Sequence, residues 1–248
     1  MKIRNEQIEA MAKEVRKAYE RRVLDHIARY FPTQIRLFGR ERLHPLAARA
    51  IDQANAYKMV SEESVCVYAD ILLMLGAEFD LDPQLPFARA ILVEPGLSER
   101  ERAAKLYQAV KEYWQKVAGS DGGAMMDALR NFRRFPADWT LQPGDGEDIR
   151  AVSGLLGRLY PSKHTYLGDP GVGDFLRFSA GEALEMGIET RQGFGILSAL
   201  MFLGGSGFLR DPRFDWIGAL LDETARRKEN WLAQLHGQAS QKFEEWVR

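Results

Sequence analysis

Metal or nucleophilic chemistry would first be sought at the four histidines, His26, His44, His164 and His236, and at the single cysteine, Cys66. The histidines are dispersed. None has a second His or a Cys three or four residues away, the spacing that sets two ligands on one helix face, so no metal site is expected. Asp25 beside His26 suggests an acid–base pair, but a half-buried histidine with one hydrogen bond is the simpler reading. Cys66 lies in VCVYADILLML (65–75), where apolar surroundings suppress the thiolate, which makes it a poor nucleophile. Asp70 and Tyr68 are the polar exceptions in that stretch. The glycine-rich runs GDPGVGD (168–174) and GGSG (204–207) lack the Lys-Ser/Thr ending of a phosphate loop and follow no strand signal, so both read as turns. No serine sits in a nucleophile elbow. No catalytic residue, metal or cofactor is therefore assigned.

Two carboxylates remain, Asp82 and Asp211, and they belong to a pattern that recurs along the chain. A shift of 129 residues aligns 29–92 with 158–221 without a gap. LGAEFDLDP (75–83) then lies on GGSGFLRDP (204–212), with Pro32 on Pro161, Gly39 on Gly168, Gly76 on Gly205, Phe79 on Phe208 and Ser61 on Thr190. The shared unit reads as a buried helix, a glycine stop, a turn anchored by Phe79 or Phe208, and a new short helix. Asp82 and Asp211 would cap that helix, with Pro83 and Pro212 at its first position, because a short carboxylate accepts the orphan amide hydrogens there. The alternative is that a pseudo-two-fold axis brings the two aspartates together as a dyad or metal site.

NFRRFPADW (131–139) combines Arg133 and Arg134 with Phe132, Phe135 and Trp139, next to Arg130. Arginine with aromatics is enriched at protein interfaces, so these five residues are the candidate partner-binding set. The same mixture occurs on single-strand nucleic-acid surfaces, and aromatics of this kind also simply pack on a core.

The elements that must position these residues are helices. Ile8, Met11, Ala12, Val15, Tyr19, Val23, Ile27 and Tyr30 recur at three-and-four spacing over 5–30. A second helix is expected from about Pro45 to Tyr57. A third, capped by Ser61 and stopped by Gly76, is apolar nearly all round, so it belongs at the centre of a bundle. Ser98 and Glu101 form a capping box for a helix ending near Gly119. The spacing predicts an all-α protein of two related helical halves: 1–118 as the first, 119–148 as a connecting segment and 149–248 as the second.

Lys and Arg number 34 against 35 Asp and Glu, a formal net charge of -1, so the electrostatic footprint of a nucleic-acid binder is missing. One cysteine precludes an intrachain disulfide and fits a reducing compartment. The amino terminus is charged where a signal peptide needs an apolar core, and no run approaches the roughly 18 to 20 apolar residues of a membrane span. A cytoplasmic protein is the expectation.

The long first helix ending in RYFP (29–32), followed by YKMVSEESVCVYADILLMLGAEFDLDPQLPFA (57–88), resembles a family of helical accessory proteins associated with bacterial type VI secretion. These are linked to PAAR spike-tip proteins, toxins and adaptor chaperones. The resemblance covers about the first 95 residues and, more loosely, the second copy. It departs from the pattern at Lys58, where a glycine is usual; Gly187 supplies it in the second copy. What the resemblance implies is a non-enzymatic adaptor or co-chaperone that helps load a toxic effector onto the spike, with an effector, adaptor chaperone or spike-tip protein as partner. The competing readings are an enzyme with an acidic or histidine site at the junction of the halves, using Asp82, Asp211, His26 or His164, and an immunity-type toxin inhibitor.

Overall fold

The computed structural model describes residues 5–134, 147–221 and 230–247. Every regular element among them is helical: α1 (Asn5–Tyr30), α2 (Pro32–Ala56), α3 (Glu62–Leu75), α4 (Pro86–Leu92), α5 (Glu99–Ala118), α6 (Gly123–Arg133), α7 (Glu147–Leu159), α8 (Pro161–Glu185) and α9 (Arg191–Gly204). Two single-turn 3-10 helices follow, at Phe208–Arg210 and Pro212–Phe214, then α10 (Asp215–Leu221) and α11 (Trp231–Val247). The protein is all-α. No described helix is long and apolar enough to cross a membrane.

Local signals fix most boundaries. The Ser61 hydroxyl accepts from the Ser64 amide at the start of α3, and the Thr190 hydroxyl does the same from Gly193 at the start of α9. The Ser98–Glu101 capping box opens α5. Gly76 and Gly205 end α3 and α9 at φ of 99° and 92°. Between them α9 is buried on all sides from Gly195 to Leu203, as α3 is for most of its length, so these two helices form the centre of the core.

Two sequence expectations change. α2 begins at Pro32 rather than near Pro45, because a short helical segment precedes a break at Gly39 (φ 76°, ψ 159°) and the helix then resumes through Pro45. GDPGVGD is not a turn: only Gly168 leaves helical geometry (φ 63°, ψ 172°), and α8 continues beyond it through Pro170. Within the connecting segment, 123–133 is helical and packs Ala128, Leu129 and Phe132 into the core.

The elements at a shift of 129 residues agree in kind and bounds: α2 with α8, kinked at Gly39 and Gly168, and α3 with α9. Lys58 takes a left-handed conformation (φ 61°), matching Gly187 (φ 64°). Phe38 packs on Phe214 and Trp246, at 5.9 and 5.6 Å between ring centroids, so the amino-terminal half of the chain and the carboxy-terminal half share one aromatic cluster.

Candidate functional site

The ends of α3 and α9 abut backbone to backbone. A Cβ on Gly76 would lie 2.3 Å from the Gly204 carbonyl oxygen, and one on Gly205 would lie 2.6 Å from that of Leu75. No other residue fits either position.

Around this contact the orphan groups of the two helix ends are shared across the junction. Asp82 Oδ2 accepts from the Ser206 amide at 2.8 Å, and Asp211 Oδ2 accepts from the Ala77 amide at 3.2 Å. Each aspartate also accepts from the amide two residues on, Gln84 at 2.8 Å and Arg213 at 2.9 Å. Gln84 Nε2 donates to the Met201 carbonyl at 3.1 Å, and Arg213 Nη1 donates to that of Leu73 at 2.8 Å, so carbonyls in the last turn of each helix are satisfied from the opposite side. Arg213 is ion-paired with Asp211 at 2.7 Å and stacks on Phe38 and Phe214. Asp82 caps a turn rather than a helix, since α4 starts only at Pro86.

Lys163, on α8, completes the ring. Its Nζ donates to the Phe202 carbonyl at 2.6 Å and lies 5.0 Å above the Phe202 ring, which places its charge against the negative end of α9. Burial pulls its amine down to about 8, partly offset by the Asp82 charge. Burial pushes the Asp82 carboxyl up, against the pull of Lys163 and the amide hydrogen bonds.

These groups face a cavity of about 300 Å3, lined mostly by apolar side chains of α2, α3, α5, α6 and α9. Asp82, Lys163, Arg213, Tyr113 and Tyr160 give its polar wall. Among the residues lining it are neither Asp211 nor a histidine. His26 Nε2 lies 2.8 Å from Asp70 Oδ1, His164 3.1 Å from Ser153 Oγ, His236 3.0 Å from the Phe132 carbonyl, and His44 3.5 Å from Glu20. The histidines weighed for a junction enzyme are thus dispersed over separate pairs, and both aspartates, which do meet the junction, are occupied by backbone amides. Among the described residues no three of His, Cys, Asp and Glu gather into a metal-holding group.

Of the five residues assigned to partner binding, Phe132 is fully buried, 5.1 Å from Phe243 in an edge-on contact, and is core in this fold. Arg133 and Arg134 are exposed, Arg133 lying 3.8 Å from Glu244 of α11. Phe135 and Trp139 lie outside the described residues.

Sequence reasoning missed two features. Lys163 reads as an ordinary charge in PSKH, and nothing local signals that it turns inward. The other is the amino-terminal part of α1: every residue from 7 to 15 is exposed, and it carries Ile8, Met11 and Val15 at 53%, 64% and 69% exposure. Spacing of three and four continues this stripe to Val23 and Ile27, which are buried. The core-facing side of α1 therefore runs on beyond the body that covers it, for about 13 Å at 1.5 Å per residue. The periodicity is visible in sequence; that its first half lacks cover among the described residues is not.

Compared with protein-family models, curated proteins and solved structures, the chain finds no match.

Proposed function

We propose that the protein is a non-enzymatic, stoichiometric binding factor of the type VI secretion kind, which engages a toxic effector and assists its loading onto the PAAR spike. The observation that carries this reading is the uncovered stripe of α1. A free amphipathic helix with Ile8, Met11 and Val15 on one side is the kind of ligand that lies in an apolar groove of a partner protein. Apolar side chains held in helical register before binding lose less entropy on docking than a disordered peptide would. The flanking residues of both signs, Glu9, Lys13, Glu14 and Lys17, suit a polar rim around that groove. The exposed Arg133 and Arg134 offer a second, basic contact for an acidic segment of the same client. The family resemblance supports the choice of client; the engagement of both junction aspartates with backbone amides favours binding over catalysis.

The test is export. In a bacterium that carries this gene and an active type VI apparatus, deletion should abolish secretion of the cognate effector, and wild-type protein should restore it. A triple variant, Ile8→Ser, Met11→Ser and Val15→Ser, should fail to restore secretion while keeping the wild-type melting temperature, because none of the three is covered in the folded protein. Unchanged secretion on deletion would overturn the proposal, and accompanying loss of self-protection would assign an inhibitor instead.

A further inference from the structure

We propose that the central cavity is a binding site for an uncharged, largely apolar small molecule bearing a carbonyl-type acceptor oxygen, received by Lys163 and by the hydroxyls of Tyr113 and Tyr160. This site is independent of the α1 stripe and of the client it binds.

The cavity volume of about 300 Å3 equals roughly ten water volumes, at the lower end of ligand pockets. Thr33 and Met126 are the exposed residues of its lining and mark the mouth, with Trp114 and Met125 partly exposed beside them. Its floor is the junction ring, where Asp82 and Lys163 are buried. A molecule entering there passes Thr33 and mostly apolar side chains before it reaches the charged groups of the floor.

The floor groups its spare donors, Lys163 with the hydroxyls of Tyr160 and Tyr113, while the orphan acceptor among the lining side chains, Gln34 Oε1, belongs to α2. An ammonium carries three N–H donors, and Lys163 uses one, on the Phe202 carbonyl. The Tyr160 hydroxyl is buried with no partner, a state that costs stability unless something fills it. Tyr113, 4% exposed, has no hydrogen-bond partner for its hydroxyl among the described residues, and it feels the charge of Asp82 and the nearness of Tyr160. Asp82 is the local acceptor, and amides of Ser206 and Gln84 and the Gln84 side chain already occupy both its oxygens. The group that engages Lys163 and both hydroxyls at once is an oxygen with lone pairs.

Charge selects further. Asp82 with Lys163 and Asp211 with Arg213 balance sign for sign, so a carboxylate or ammonium on the ligand would add an unpaired buried charge, which is costly. An uncharged acceptor such as a ketone, ester or amide oxygen avoids that cost. The apolar walls then favour an aliphatic or aromatic body.

The experiment uses 2-octanone as probe on the purified full chain, with octanoate, octylamine and toluene as comparisons, followed by titration calorimetry and ligand-observed NMR. Saturable binding of 2-octanone, tighter than either charged analogue, is expected. Tyr160→Phe removes a hydroxyl without a protein partner, so the melting temperature should hold or rise while 2-octanone affinity falls about three- to tenfold and toluene affinity stays the same. No saturable 2-octanone binding, or tighter binding of octanoate or octylamine, would overturn the proposal. So would a Tyr160→Phe protein with lower stability and unchanged 2-octanone affinity, since the hydroxyl would then serve the fold.

Discussion

Asp82 and Asp211 stand in reciprocal relation: each accepts the backbone amide that follows the other side's helix-ending glycine, Ser206 after Gly205 and Ala77 after Gly76. With Gly76 against the Gly204 carbonyl and Gly205 against that of Leu75, the junction is a backbone contact locked by two carboxylates. The reciprocity gives a reason for two Asp-Pro turns in one chain without invoking a dyad.

The two aspartates are alike in geometry but differ in what they leave behind. Asp211→Asn strands the guanidinium of Arg213, 6% exposed, beside an amide, and leaves an uncompensated buried charge at a cost of about 3–5 kcal/mol. Asp82→Asn weakens the hydrogen bond to Ser206 and removes the countercharge of Lys163, but that amine, already pulled down to about 8, can shed its proton where a guanidinium cannot, so the cost is about 1–3 kcal/mol. Urea denaturation of the two variants should rank them in that order. Equal losses would mean that Arg213 finds another partner.

Gly205→Ala tests the contact itself. The left-handed backbone (φ 92°) strains any side chain by about 1–3 kcal/mol, and the added Cβ would stand 2.6 Å from a carbonyl oxygen that belongs to a buried helix end. Both costs fall on one residue, so the variant should lose at least about 3 kcal/mol or fail to accumulate as folded protein. A near-native melting temperature would show that the two helix ends can separate without penalty.

Lys58 occupies the left-handed conformation that Gly187 takes in the second unit. A side chain there costs about 1–2 kcal/mol, and glycine offsets part of the gain through its freer unfolded chain. Lys58→Gly should therefore stabilise by about 0.5–1 kcal/mol, a rise of roughly 1–4 °C in melting temperature for a chain of this size. Calorimetry of Lys58→Gly and of the reverse exchange, Gly187→Lys, should give shifts of opposite sign.

What sequence could supply was set by range. Caps and stops are decided within four residues, so Ser61, Thr190, Ser98 with Glu101, Gly76 and Gly205 could all be read directly, and the periodicity of α1 and α3 followed. Gly39 and Gly168 show where this fails: a glycine beside a proline looks like a loop, yet the helix resumes once one residue has turned the chain. Phe132, assigned to a surface by its arginine neighbours, is core because α6 turns its apolar side onto α11. The cavity lay beyond local reading altogether. Its polar wall joins residues from 82 to 213, and a lysine folded inward has the same local pattern as one in water.

Lys163 gives the pH dependence of stability a specific slope. Its folded-state pKa of about 8 lies below the ordinary 10.5, so between these values the unfolded chain binds more protons than the folded one. Stability attributable to this residue then rises with pH across that window, by on the order of 3 kcal/mol in full, and is at its lowest below pH 8. The groups around it are Asp82, whose carboxyl burial pushes up, Arg213, and Tyr113 and Tyr160. The tyrosines, raised by burial, oppose the trend once unfolded tyrosine begins to ionise near pH 10. The clean measurement is consequently the difference between wild type and Lys163→Met from pH 8 to 9.5, where wild type should gain stability relative to the variant as pH rises. Parallel stability curves for the two proteins would show that the Lys163 amine is solvated and keeps its ordinary proton affinity, and would remove the buried cation from the floor of the cavity.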